Sequence, residues 1–186
     1  MKIAYAPLID LLQQAYSAEK AAAFAYQGHA GSVKSQAEKL AIKQIEMDEW
    51  NHRHEVLSIM NYYDIPISSY YEIRFHIIGK IISWSCYVIG WFMPFYFAGR
   101  LESGNVCEYF RMKQYFNEIG ITAHDNVLYE MGMKEKEHEA FFGEAIRASP
   151  LLPFFEKFFG WSYEKSFNNI DLSRKEPVER SDYYCK

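Results

Sequence analysis

Cysteine is scarce in this chain and thinly spread, at Cys86, Cys107 and Cys185, and no CxxC pair occurs. A thiolate zinc site and a disulfide framework are therefore set aside, and a reducing compartment is expected. Positive charge is not in excess: the formal net charge is −4, which leaves a nucleic-acid partner without electrostatic support. No glycine-rich phosphate loop, GxSxG elbow or low-complexity tract occurs, so phosphate-cradling and serine-hydrolase readings have no anchor. The opening MKIAYAPLIDLLQQ is interrupted by Asp10, Gln13 and Gln14. It does not form the apolar core of a secretory signal, and a cytoplasmic location is expected.

Aromatic residues are abundant: 15 Tyr, 14 Phe and 4 Trp in 186 residues. So many large rings imply a bulky core or a surface that meets something apolar. Pro7 suits a first helical turn, and Leu8, Leu11, Leu12, Ala15, Ala18, Ala22 and Ala25 follow at helical spacing. That helix should end near Gly28 to Gly31. Ser32 or Ser35 can cap a second helix, which Asp64-Ile65-Pro66 should stop. Residues 69–98 form an apolar segment, uncharged from Ile81 to Ala98. Gly90 and Pro94 interrupt it, and it reads as a helix broken near Pro94 that packs inside the protein or touches a membrane. Further helices are expected from about Ala98 to Phe116 and from about Ala123 to Ala148. The stretch LLPFFEKFFGW, residues 151–161, reads as an interfacial helix or a lid. One helical domain over residues 1–161, followed by a polar tail over 162–186, completes the expected organisation.

Two Glu-x-x-His motifs carry the chemistry: Glu49-Trp-Asn-His52 and Glu135-Lys-Glu-His138. On a helix, positions i and i+3 share a face, so a carboxylate and an imidazole can grip one cation. Each motif has a lone glutamate upstream, Glu19 before Glu49 and Glu102 before Glu135, at similar separations. The layout of lone Glu, turn and Glu-x-x-His thus occurs twice. Four Glu and two His from four helices form the ligand set of ferritin-like di-metal proteins. Hard oxygen with nitrogen suits iron, and manganese as well. The fold expected is all-α, a ferritin-like four-helix bundle with an extra apolar helical segment before the third bundle helix. The competing reading is ordinary: glutamates on solvated helix faces. Tyr26 and Tyr109 each lie two turns beyond a lone Glu and should share its face, in core packing or as hydrogen-bond donors. Asp48 is a further candidate acceptor for a ligand histidine.

From Tyr16 to Ala148 the chain resembles the demethoxyubiquinone hydroxylase family. The points of likeness are Ala18-Glu19 with Ala25-Tyr26-Gln27-Gly28, the step from Glu19 to Glu49, the apolar segment before Glu102, and the Glu-Lys-Glu-His ending at His138. The resemblance implies a membrane-surface di-iron monooxygenase of ubiquinone biosynthesis, with Glu19, Glu49, His52, Glu102, Glu135 and His138 as iron ligands. It also implies O₂, an apolar quinone-like or aromatic lipid substrate and an electron donor as partners; a homo-oligomer is a further expectation. The chain departs from the family at Tyr16-Ser17-Ala18-Glu19, where the family has His-Ala-Gly-Glu, and in its Tyr-rich C-terminal tail. Two other readings stand beside it. One is a rubrerythrin- or ferritin-like oxidase or peroxidase; the other is a non-enzymatic, membrane-associated helical module.

Overall fold

The computed structural model describes residues 2–164. Most of the tail expected over residues 162–186 therefore lies outside the described residues. Among the described residues the chain is all-helical, with six helices and no strand: α1 (Ala6–Ser32), α2 (Gln36–Tyr62), α3 (Ser69–Ser85), α4 (Phe92–Glu118), α5 (Asp125–Ile146) and α6 (Leu152–Phe159). It divides into two compact units, Met1–Trp91 and Phe92–Lys186.

In the first unit, α1 and α2 form a hairpin and α3 packs on α1. Pro7 sits in the first turn of α1, where its missing N–H costs nothing. A short connection, Val33 to Ser35, joins α1 to α2, and Ser35 caps α2 by accepting from the Glu38 N–H at 3.4 Å. The Ser35-x-x-Glu38 spacing is that of a capping box. Asp64, with φ of 57°, ends α2 in the left-handed region that aspartate tolerates. Leu8, Leu12, Ala23, Ile42, Val56 and Met60 are fully buried. The contact of α3 with α1 is made backbone to backbone: a Cβ on Gly79 would meet the Ala21 Cα at 2.6 Å, and one on Gly28 would overlap Ser83. Gly79 is the one residue of α3 that is buried, whereas Tyr70, Ile73, Ile77, Ile81 and Trp84 are exposed. They recur every three or four residues and so form one apolar stripe.

The break in the apolar segment lies upstream of where Pro94 implied it. Helix α3 ends at Ser85, Gly90 takes a φ of 81°, and α4 begins at Phe92. Pro94 therefore falls in the first turn of α4, where proline is tolerated. No described helix is long and apolar enough to cross a membrane.

In the second unit, α4 and α5 pack along each other around Phe95, Tyr96, Met112, Phe116, Leu128, Phe142 and Ile146, all fully buried. Helix α6 lies against the start of α4: Phe155 stacks edge-on with Phe92 and Tyr96 at 4.9 and 5.2 Å between ring centroids. Its other side leaves Phe154 and Phe158 exposed. Cys86 is a buried free thiol.

Candidate metal centre

Each unit brings together three of the six expected ligands. In the first, Glu19 comes from α1, and Glu49 and His52 from α2. Each offers a donor atom within 4.8 Å of the others. The equal depth has a simple origin. Helix α1 ends at Ser32 and α2 begins at Gln36, and Glu19 and Glu49 stand equally far from those two ends. Residues equidistant from a hairpin turn meet at one level. The Glu19–Glu49 midpoint, Lys34, is thus the centre of the connection. His52 follows on the next turn of the same face.

In the second unit, Glu102 comes from α4, and Glu135 and His138 from α5, again with donor atoms within 4.8 Å of one another. Glu49, Glu102 and Glu135 are fully buried, and Glu19, His52 and His138 nearly so. His138 Nδ1 lies 3.7 Å from Glu135 Oε2. Asn105 Nδ2 donates to Glu102 Oε2 at 3.2 Å and to Glu135 Oε2 at 3.5 Å, which fixes the orientation of both carboxylates. Burial and then the neighbouring Glu135 drive the Glu102 carboxyl well above the usual range, against the opposing pull of His138 and Asn105.

This donor set fits a hard cation. Oxygen and imidazole donors at bond lengths of about 2.1 Å to one ion stand roughly 3–4 Å apart, which small side-chain movements within these clusters reach. Taking a carboxylate out of water costs several kcal/mol, and two of the candidate donors in each unit are buried carboxylates. A divalent cation would offset that cost, and the solvated helix faces of the ordinary reading do not match this burial.

The remaining candidates separate. Tyr26 and Tyr109 are buried on the helices that carry Glu19 and Glu102. Asp48 is half-buried, accepts from Gln44 Nε2 at 3.0 Å, and is in neither donor group. Glu130 and Glu137, which flank the second motif, are exposed.

Sequence reading missed two polar clusters that flank the ligands. In the first unit, Glu72 of α3 accepts from Lys20 at 2.5 Å, from Arg53 at 3.1 Å through both oxygens, and from Ser17 at 2.9 Å. Lys20 adjoins Glu19, and Arg53 adjoins His52. Arg53 also stacks on the Tyr16 ring at 3.6 Å and donates to the Tyr16 carbonyl. In the second unit, Lys136 and Glu139 adjoin Glu135 and His138 and pair with each other at 2.8 Å. The chain matches no protein-family model, no curated protein and no solved structure.

Proposed function

We propose that this chain is a di-iron carboxylate oxygenase of ferritin-like bundle architecture that hydroxylates an apolar, quinone-like or aromatic lipid using O₂. The observation that carries the proposal is the buried meeting, in each unit, of a lone Glu with a Glu-x-x-His pair. In this reading Glu19, Glu49 and His52 supply one set of donors and Glu102, Glu135 and His138 the other, for two irons per chain; manganese suits the same donors. The irons, when bound, supply the O₂-reducing chemistry that side chains cannot.

The chain's own residues supply the setting. Asn105 orients two carboxylates, and the Glu72 cluster ties α3 to both ligand helices of the first unit. Tyr26 and Tyr109 are buried on the helices that carry the lone glutamates and help keep water out of the interior. The exposed stripe of α3 and the exposed rings of α6 support contact with a lipid surface, from which an apolar substrate would come.

The test starts with metal content. Purified protein reconstituted with ferrous iron should hold two irons per chain, and the Glu49→Ala/Glu135→Ala double variant should lose them. Reductant, O₂ and a short-chain demethoxyquinone should then give a product one oxygen heavier. Absence of turnover with two irons still bound removes the quinone substrate. Retention of both irons by the double variant removes the site itself. For the lipid surface, pelleting with vesicles should persist in high salt and be lost in an Ile77→Glu/Ile81→Glu variant.

A further inference from the structure

Helix α5 presents one more buried carboxylate than its metal-binding motif needs. Glu135, His138 and Glu139 stand at i, i+3 and i+4, so they share a face. Glu139 is fully buried. By spacing alone it has as good a claim to a cation as His138 has. Yet it is not among the donors that converge with Glu102, Glu135 and His138.

The reason lies in its partners. Lys136 Nζ donates to Glu139 Oε2 at 2.8 Å, and Trp161 Nε1 donates to Oε1 at 2.9 Å. Both oxygens are thereby engaged. Lys136 is itself 2% exposed, and a buried ammonium needs an anion beside it, so the two charges hold each other. The indole arrives from outside the α4–α5 pair, and its position is tightly fixed. A Cβ on Gly99 would overlap the Trp161 ring, and one on Gly143 would overlap the Tyr163 ring. The chain from Gly160 to Tyr163 is thus a strap with two rings seated in glycine notches. Tyr96 Oη donates to the Trp161 carbonyl at 3.0 Å, and Tyr163 Oη donates to Glu144 at 3.0 Å.

We infer that Lys136 and Trp161 are positioning residues that hold Glu139 out of the donor set, so that Glu139 does not join Glu102, Glu135 and His138 on the cation. The inference rests on the metal-binding reading above and adds a determinant of coordination number and charge. Released from Lys136, Glu139 would carry a buried, uncompensated negative charge on the ligand face; released from Trp161, it would keep one buried oxygen without a donor, and a cation would satisfy either.

Cobalt(II) is the probe, because its visible bands weaken as added oxygen donors raise its coordination number. The full chain is loaded with cobalt as wild type, as Trp161→Phe, as Lys136→Met and as the doubly neutral Lys136→Met/Glu139→Gln. Trp161→Phe removes the N–H donor together with the far edge of the indole seated at Gly99, and Trp161→Phe/Glu139→Gln separates the loss of the donor from the loss of packing. Trp161→Phe and Lys136→Met should each lose visible-band intensity relative to wild type, and Lys136→Met/Glu139→Gln should recover the wild-type spectrum. If Lys136→Met does not fold, Trp161→Phe and Trp161→Phe/Glu139→Gln make the same comparison. Wild-type spectra in the single variants overturn the inference while leaving the metal site standing. A wild-type chain that takes up no cobalt overturns both.

Discussion

Replacing Glu72 by glutamine tests how far the first unit depends on one carboxylate. Burial raises the Glu72 carboxyl, but hydrogen bonds from Arg53, Lys20 and Ser17 outweigh it and bring it down to about 2. Against an ordinary value of 4.5, the shift corresponds to about 3.4 kcal/mol at 1.36 kcal/mol per pH unit. The side chain is 23% exposed, so solvent screens part of this, and about 1–2 kcal/mol is expected. The sign follows from linkage. A carboxyl depressed in the folded state favours folding above its unfolded pKa, and that contribution fades as pH falls from about 4.5 to about 2. Urea unfolding of wild type and Glu72→Gln should therefore differ by about 1–2 kcal/mol at pH 7. The gap should narrow below pH 4.5 and close near pH 2, because other acid-labile contributions are common to both chains. A gap that keeps its size down to pH 2, or is absent at pH 7, would refute the reasoning.

Three further outcomes follow. Phe142→Ala, at a fully buried position between α4 and α5, should cost about 3–5 kcal/mol in denaturant unfolding. Gly79→Val places methyl groups against the Ala21 backbone. It should raise amide hydrogen exchange across Ser69–Ser85 while leaving α5 protected. Chelation should lower the thermal stability of the loaded chain: free metal at 100 times its Kd is worth about 2.7 kcal/mol. A chain whose unfolding temperature ignores both added metal and chelator would speak against the site.

The helices were largely legible in the sequence because their signals are local. Pro7 opens α1, Ser35 caps α2, and the turn after Tyr62 falls at Asp64 as expected. Pro94 misled because its effect depends on register: inside a helix it breaks the hydrogen-bond ladder, whereas in a first turn it has no bond to break. The six ligand candidates were legible because helical periodicity fixes which residues share a face. The groups around them were not. Trp161 reaches Glu139 and Glu72 reaches Lys20 across long stretches of chain, and no local spacing rule links such partners. The burial of Lys136 was hidden for the same reason, since nothing in Glu-Lys-Glu-His distinguishes a sequestered lysine from a solvated one.

The strap that seats Trp161 and Tyr163 has a consequence for biosynthesis. All three helices of the first unit have been translated by Trp91, so it can assemble while the rest of the chain is still being made. The second unit lacks the residues that lock Glu139 until everything from Phe92 to Tyr163 has emerged. At about 5–20 residues per second that is a delay of roughly 4–14 s. Within that interval Glu139 is made 22 residues before Trp161, so for roughly 1–4 s it stands unrestrained by the indole, and in the metal-binding reading a cation that arrives then would meet a different set of donors from one that arrives later.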